Sequence, residues 1–194
     1  MTSPVTGATA GRPRDPAIDA RVHEAACLVF GDVGWAGFTM DRVAQRAGVG
    51  KAALYRRWPS KAALLADALA SMLATAPHPV SDDVRADLVG LVRSTTSLYA
   101  GPLGGAARRL MTEAALLPEL AEAWEAIRHR QVSSARDVVE HAVRGGRLGT
   151  DVSIGLLLEA LLGGALMHAV LAPDDDHGAH AERLVDAVVG PLLT

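Results

Sequence analysis

Apolar residues recur along most of the chain at the three- and four-residue spacing of amphipathic helices. After residue 16 they share one face of a first predicted helix, and the members of this face are Ile18, Val22, Ala25, Ala26, Val29 and Phe30. Gly31 and Gly34 are expected to end this helix. Cys27 lies beside the apolar face and is expected to fill the core as a small hydrophobic side chain.

Two short helices joined by a glycine-containing turn are predicted next. Thr39 is a good N-cap, and Asp41 lies in the first turn, where the helix dipole favours an anion. Gly48 ends this helix, and a second helix covers 51–58 up to Pro59. Neither helix is long enough to be stable alone, so both are expected to pack against the first helix.

The rest of the chain repeats the helical pattern, with glycine or proline between the segments. Further helices are predicted over 61–76, 81–99, 103–116, 118–144, 152–172 and 181–193, with a loop over 173–178. Alternating β-branched residues are scarce, and aromatic residues make up only 4% of the chain. The pattern therefore predicts an all-α fold of about nine helices.

The spacing of the two short helices is typical of a helix-turn-helix. Small residues such as Ala44 and Ala47 allow the helices to cross closely, and Leu54 can be buried with them. This packing leaves the outer face of 51–57 free to enter the major groove of DNA.

Charge divides the chain into a basic front and an acidic rear. Residues 1–65 carry nine basic and five acidic side chains, a net charge of +4, whereas the remainder carries −7. A polyanion is therefore the expected partner of the N-terminal part, residues 1–65.

We divide the chain into a flexible basic arm over 1–15, a helix-turn-helix domain over 16–65 and a helical domain over 66–194. The arm, with Arg12 and Arg14, either reaches a minor groove or stays in solvent.

The helix-turn-helix stretch resembles the DNA-binding domain of TetR-family transcriptional regulators over about residues 17–65. The matching residues are Thr39, Val43, Ala44, Ala47, Gly48, Val49, Leu54, Tyr55, Lys61 and Leu64. The sequence departs from the family pattern at Gly50 and Ala53, where hydroxyl side chains are frequent, and at Trp58, where Phe is usual. The resemblance implies a homodimer that pairs through its last two long helices and holds a small molecule among its middle helices.

Side-chain chemistry and the resemblance together select the residues that contact a two-fold-symmetric, double-stranded DNA operator. We expect these to be Thr39, Arg42, Gln45, Lys51, Ala52, Tyr55, Arg56, Trp58 and Lys61. The two lysines, with Tyr55 and Trp58, are expected to hold phosphates. Core packing is the alternative for Tyr55 and Trp58, and both roles can hold at once because each side chain has an apolar body and a polar tip. Adjacent residues diverge by ~100° on a helix, so we expect Arg56 to face the bases and Arg57 to face the flank.

The rear of the chain is expected to provide a dimer interface and an effector pocket. Candidate interface residues are Gly155, Leu158, Leu162, Gly163, Leu166, Leu184 and Val188; alternatively, helix 152–172 is buried within one subunit. Candidate pocket residues are Leu69, Met72, Leu91, Thr95, Tyr99, Met111, Trp124, Arg128 and His168. Ordinary core packing is the alternative role for each of these pocket candidates. If they do form a pocket, its apolar lining would select a small apolar or aromatic effector.

No set of residues indicates catalysis, a metal or a cofactor. The histidines lack HxxxH or HExxH spacing, and no P-loop, GxSxG or GxGxxG is present. Adventitious metal binding is one interpretation of His177 and His180, which lie near the aspartates of 174–176, and a solvated loop is the better one. The apolar segment 152–172 contains Glu159 and His168 and has no basic flank, so we interpret it as a packed helix rather than a membrane span.

The amino-acid composition indicates a folded protein and limits the cellular compartments in which it is expected. Hydrophobic residues make up 49% and charged residues 21% of the chain, which excludes disorder as the main state. The single cysteine excludes an intramolecular disulfide and fits a reducing compartment. No apolar signal segment is visible near the N-terminus, so a cytoplasmic protein is expected.

The sequence thus predicts a homodimeric, ligand-responsive repressor that is not an enzyme. Two alternatives stay open. An all-α carrier of hydrophobic ligands, or an enzyme, would have no affinity for DNA. An accessory DNA-binding protein would bind DNA tightly whether or not a small molecule is present.

Overall fold

The computed structural model describes residues 16–73, 78–114, 117–173 and 175–192, and these form nine α-helices. They are α1 (Pro16–Gly37), α2 (Met40–Ala47), α3 (Lys51–Arg57), α4 (Lys61–Met72), α5 (Val84–Ala100), α6 (Gly104–Glu113), α7 (Pro118–Arg144), α8 (Ile154–Leu171) and α9 (His177–Val189). A short 3-10 turn, Gly190–Leu192, follows α9. The predicted all-α fold is confirmed, and the basic arm over 1–15 lies outside the described residues.

The first helix is interrupted at Gly34, which has a φ of 65° and a ψ of −176°. The expectation that Gly34 breaks the helix is correct, although one more turn follows it, up to Gly37. The expectation for Gly31 is wrong, because Gly31 stays helical and faces α6. A Cβ atom added to Gly31 would lie 2.8 Å from the backbone nitrogen of Ala106, so glycine allows α1 and α6 to cross closely.

Local caps define the helix-turn-helix. The Thr39 hydroxyl accepts a hydrogen bond from the Arg42 N–H at 3.3 Å and begins α2. Gly48 ends α2 in the left-handed region, with a φ of 64°, and its N–H bonds to the Ala44 and Gln45 carbonyls. After the turn, Leu54 of α3 is fully buried and joins the first hydrophobic cluster.

Buried side chains form two hydrophobic clusters. The first cluster contains residues of α1, α2, α3, α4 and α6 and of the beginning of α7. The second cluster contains residues of α5, the later part of α7, α8 and α9. The first cluster therefore crosses the predicted domain boundary at residue 65, because Ala106, Ala107 and Leu110 of α6 pack with the front helices. The division into two domains stays our proposal.

Some helix ends differ from the sequence prediction. The fourth helix ends at Met72, and residues 74–77 lie outside the described chain. The last helix begins at His177, inside the predicted loop, because the Asp176 carboxylate accepts hydrogen bonds from the Gly178 and Ala179 N–H groups at 2.9 and 3.1 Å. His177 and His180 are therefore helical, which corrects their interpretation as loop residues.

Candidate functional site

Seven of the nine residues expected to contact DNA are exposed on the helix-turn-helix and its cap. They are Thr39, Arg42, Gln45, Lys51, Ala52, Tyr55 and Arg56. Buried residues of the same helices, Val43 and Leu54 among them, face the core instead. Exposed and buried residues alternate with the helical period because each short helix can bury only one face.

The two adjacent arginines at the end of α3 have different surroundings. The Arg57 guanidinium is paired with the Asp19 carboxylate near the beginning of α1, and the two side chains are only 19% and 28% exposed. Arg56 is exposed and has no polar partner within the described part of the chain. Arg57 thus ties α3 to α1, while Arg56 is available to a ligand outside the protein.

An ion pair joins the first turns of α2 and α3. The Lys51 ammonium lies 2.6 Å from the Asp41 carboxylate, and its Nζ lies 6.0 Å from the centre of the Tyr55 ring. The hydrogen bond to Asp41 raises the pKa of Lys51, so the side chain stays cationic at neutral pH.

Trp58 does not have the position expected for a phosphate ligand. Its side chain is buried, and the indole N–H donates to the Asp67 carboxylate at 2.7 Å. Because indole has a single donor, the expected contact between this N–H and a phosphate is not available in this geometry. Trp58 instead joins the end of α3 to α4.

Lys61 is half-buried and bridges α4 to the end of α1. Its ammonium donates to the Trp35 and Phe38 carbonyls at 3.2 and 3.3 Å and lies 4.0 Å from the centre of a Trp35 ring. An ammonium group has three N–H donors, so one is left for a phosphate. The expected phosphate contact therefore stays a prediction.

A groove of about 430 Å³ separates α1 from α3. Arg21 lines it together with Arg56 and Arg57, and Arg21 is exposed. Sequence reasoning did not include Arg21 among the DNA contacts. Its position off the apolar face of the first helix was the available signal, but the proximity to α3 depends on how the helices cross.

A second cavity, of about 330 Å³, lies among α5, α6, α7 and α8. Six of the nine expected pocket residues line it, namely Leu91, Thr95, Tyr99, Met111, Trp124 and Arg128. Lining residues that the sequence reasoning missed are His78, Ser94, Leu98, Gln131, Val132 and Ala135. Three candidates for the dimer interface, Leu162, Gly163 and Leu166, also line this cavity.

The other three pocket candidates lie elsewhere. Leu69 is fully buried in the first hydrophobic cluster, and Met72 packs against that cluster. His168 stacks on His180 of α9 with ring centres 3.6 Å apart, and His177 contacts it edge-on at 5.5 Å. The side of α8 that His168 occupies depends on the packing of α9, which the sequence of α8 does not contain.

The α8 helix exposes much of its apolar surface. Leu156, Met167, Val170 and Leu171 are 66%, 53%, 47% and 74% exposed. A Cβ atom added to Gly155 or Gly163 would contact nothing within 4 Å. Among the candidate interface residues, Leu158 is buried in the second cluster, and Leu184 and Val188 pack partly against it. Leu158 is therefore not available at the surface, because it faces the subunit's own core.

This helix is long and apolar enough to cross a membrane by length and composition alone. Its mean hydropathy is 1.9, and 28% of its residues are buried within the chain. Among the described residues, no group of three or more His, Cys, Asp or Glu side chains has an arrangement that could hold a metal ion.

A polar connection joins α6 to the end of α1. The Glu113 carboxylate accepts the Trp35 backbone N–H at 3.0 Å and an Arg109 N–H at 2.7 Å, and Arg109 also donates to the Gly31 carbonyl at 2.9 Å. Burial raises the pKa of Glu113, but the hydrogen bonds from Trp35 and Arg109 outweigh it, so the pKa is lowered. The carboxylate is thus ionised at neutral pH.

Two short crossed helices with exposed cationic side chains, followed by further packed helices with a cavity, define a helix-turn-helix transcriptional regulator. The family model of bacterial regulatory proteins of the tetR family matches residues 23–68. The model of the tetracyclin repressor-like C-terminal domain matches residues 78–188. The chain belongs to the tetR family of bacterial regulatory proteins, and members of this family bind DNA operators and dimerise.

Curated relatives are regulators of the same type. The chain is 27% identical over 183 residues to the HTH-type transcriptional regulator YdeS of Bacillus subtilis, covering 90% of this chain and 89% of YdeS. It is 29% identical over 158 residues to the HTH-type transcriptional regulator AqdR of Rhodococcus erythropolis, covering 81% of this chain and 73% of AqdR.

Solved structures share the fold. TylP, a TetR regulator from Streptomyces fradiae, superposes with a TM-score of 0.71 at 22% identity, covering 94% of this chain and 89% of TylP. The transcriptional regulator FadR from Bacillus subtilis, in complex with stearoyl-CoA, superposes with a TM-score of 0.65 at 14% identity, covering 89% of this chain and 98% of FadR.

Proposed function

We propose that the protein is a homodimeric repressor that occupies a two-fold-symmetric operator and is released from it by a small apolar effector. The observation that carries the DNA-binding role is the contrast at the end of α3. Arg57 is held by Asp19 on α1, which fixes the helix, whereas Arg56 is exposed beside it without a partner among the described side chains. A fixed helix that presents a free guanidinium suits readout of a guanine edge in the major groove.

Phosphate contacts are proposed for the residues around Arg56. Arg42 and Gln45 of α2 and Lys51 and Tyr55 of α3 are exposed on the same helix pair. Contacts of this kind fix the register of the protein on the duplex without reading its sequence. Arg21, which lines the groove beside α3, adds a further cation on α1.

The apolar face of α8 supports dimerisation. Monomeric soluble proteins rarely expose a contiguous apolar patch larger than a few hundred Å², and Leu156, Met167 and Leu171 are all more than half exposed. Gly155 and Gly163 leave open space that a helix of a second copy can approach closely. We therefore propose a helix-to-helix interface through α8 and α9, rather than a membrane span, in a cytoplasmic protein.

The shared lining of the cavity supports regulation by a ligand. Met111 of α6 lines the cavity, and Arg109 and Glu113 of the same helix hold the end of α1. Leu162 and Leu166 of α8 line it as well, beside the proposed interface. A molecule in this cavity therefore contacts both the helix that holds α1 of its own subunit and the helix beside the proposed interface.

Selection of bound duplexes from a random DNA pool tests the proposal. We expect a two-fold-symmetric consensus with half-sites about one helical turn apart or a multiple of it. A promoter fusion that carries this consensus would then be repressed when the protein is expressed. An asymmetric consensus would contradict the dimeric mode, enrichment of no sequence would contradict the DNA-binding role, and activation of the fusion would contradict repression.

A further inference from the structure

The cavity among α5, α6, α7 and α8 has features that define the chemistry of its ligand. We propose that it takes a neutral aromatic molecule bearing an oxygen atom that accepts a hydrogen bond from the Tyr99 hydroxyl. This inference rests on the proposed function, because it concerns the effector of the same cavity. It extends that function by adding charge and hydrogen-bonding requirements to an apolar pocket.

The size and walls of the cavity favour a compact aromatic ligand. A volume of about 330 Å³ is at the lower end of the range for small-molecule sites. The indole of Trp124 and the ring of Tyr99 contribute flat surfaces, and Leu91, Leu98 and Leu166 contribute aliphatic ones. Aromatic rings gain offset-stacked or edge-to-face contacts in such surroundings, in addition to burial.

The charges around the cavity are already neutralised. Arg128 is the lining residue with a permanent cation, and its guanidinium is paired with Glu125 on the same helix, with Nε 3.1 Å from a carboxylate oxygen. Burial lowers the pKa of His78 and raises the pKa of Tyr99, so both are neutral at pH 7. An anionic ligand would lose hydration on entry without meeting an unpaired cation.

The hydroxyl groups of the cavity differ in what they can offer. Ser94 and Thr95 both donate to the Leu91 carbonyl, at 2.9 and 2.8 Å, so they present lone pairs to a ligand. The Tyr99 hydroxyl donates to the Met111 sulfur at 3.0 Å, and a thioether is a weak acceptor. A ligand oxygen would therefore be a stronger partner for the Tyr99 O–H group.

Met111 can give way to such an oxygen. Its side chain is unbranched and 41% exposed, and methionine adopts several rotamers at low cost. Exchange of the sulfur for a ligand oxygen moves the one α6 side chain that lines the cavity, two residues from Glu113. The hydrogen bond thus combines recognition with the displacement of a side chain on the helix that holds α1.

A fluorescent ketone tests this directly. The probe is 6-propionyl-2-(dimethylamino)naphthalene, a neutral aromatic ketone whose emission moves to longer wavelength when its carbonyl accepts a hydrogen bond. We expect saturable binding with energy transfer from tryptophan, and a reduced transfer in Trp124→Phe, in which Trp35 and Trp58 remain as donors. Tyr99→Phe is expected to weaken binding about tenfold, the effect of one hydrogen bond, and to move the emission of the bound probe to shorter wavelength.

Two controls make the result specific. Tyr55→Phe alters the other tyrosine of the chain, on α3, and is expected to leave probe affinity and emission unchanged. The matched anion, 6-(dimethylamino)-2-naphthoate, is expected to bind at least about tenfold more weakly than the ketone at pH 7. Equal or tighter binding of the anion, or a Tyr99→Phe variant that keeps both affinity and emission, would overturn the inference.

Operator binding is measured separately, so that failure of the inference can be distinguished from failure of the proposed function. If the protein binds its selected operator and the ketone fails to bind, the inference about this cavity is wrong and the DNA-binding role stands. If the ketone binds with the expected Tyr99 dependence in a protein that has no operator, the inference stands and the repressor function is wrong.

Discussion

The Glu113 carboxylate of α6 accepts a hydrogen bond from the backbone N–H of Trp35 at 3.0 Å, across 78 positions of sequence. Trp35 directly follows Gly34, where the left-handed backbone interrupts α1 and releases N–H and carbonyl groups from the helix. Glu113 satisfies one of these groups, and Arg109 satisfies the Gly31 carbonyl at 2.9 Å. A break in α1 is thereby capped by a helix that also lines the cavity.

Removal of this carboxylate is expected to destabilise the protein. Glu113→Ala leaves the Trp35 N–H without its acceptor, and we expect the free energy of unfolding to fall by about 1–3 kcal/mol, measured by urea titration. Glu182→Ala, which removes an exposed carboxylate 3.8 Å from Arg93, is the control and is expected to cost less than about 1 kcal/mol. Equal losses for the two variants would contradict the capping role of Glu113.

The same carboxylate predicts a pH dependence. Because the folded pKa of Glu113 is lowered, its ionised form stabilises the protein above the pKa of the unfolded chain, and this contribution is lost as pH falls through the folded pKa. We expect the stability difference between wild type and Glu113→Gln to be constant above about pH 5 and to shrink below about pH 4. A difference that grows in acid would contradict the assignment.

Arg56 is expected to read a base. Arg56→Ala should relax the preference at one position of each half-site, at a cost of about 1–3 kcal/mol on the selected operator, measured by binding to single-base variants of that operator. Arg136→Ala, on α7, is a matched control that should leave DNA binding unchanged. If Arg56→Ala weakens specific and random DNA equally, Arg56 contacts only the backbone.

Lys61 is expected to contact a phosphate through its remaining donor. Lys61→Ala should weaken binding to all sequences alike and reduce the salt dependence by about one unit of slope. The measurement is operator affinity over a series of salt concentrations, with the folded fraction checked in parallel, because the variant also loses the bonds to the Trp35 and Phe38 carbonyls. An unchanged slope in the folded protein would leave Lys61 with a positioning role alone.

The exposed face of α8 predicts a variant that stays folded but does not dimerise. Leu156 is 66% exposed within the chain, so Leu156→Glu should leave the subunit intact while burying a charge in the proposed interface. Sedimentation is expected to give the mass of a dimer for wild type and of a monomer for the variant. Val80→Glu, at another exposed apolar position (43%), is expected to remain a dimer, and a dimeric Leu156→Glu would contradict the interface.

Cys27 provides a probe of folding in the front helices. Burial raises the pKa of its thiol to about 12, so almost no thiolate is present at pH 8 and a disulfide reagent should react slowly with the native protein. Reaction should become fast once the protein is unfolded in urea. Rapid modification of the native protein would contradict the buried position of Cys27 in α1.

Local sequence alone was enough for the helix-turn-helix. The limits of α2 and α3 depend on Thr39, Gly48 and Pro59, which act on the backbone within a few residues, so their effect is independent of the rest of the fold. The divergence of Arg56 from Arg57 likewise follows from the helical period. Family membership could also be predicted, because the matching residues lie in one continuous stretch.

The tertiary structure determined which polar groups have partners within the protein and which helix surfaces pack against each other. Trp58 has an apolar ring and a polar tip, and only the position of Asp67 on α4 determined that its N–H is internal. His168 faces His180 rather than the cavity because of the packing of α9 on α8. Partners such as Glu113 and Trp35 are brought together by helix crossings, and a crossing depends on the shapes of two separate surfaces, which no single segment of sequence contains.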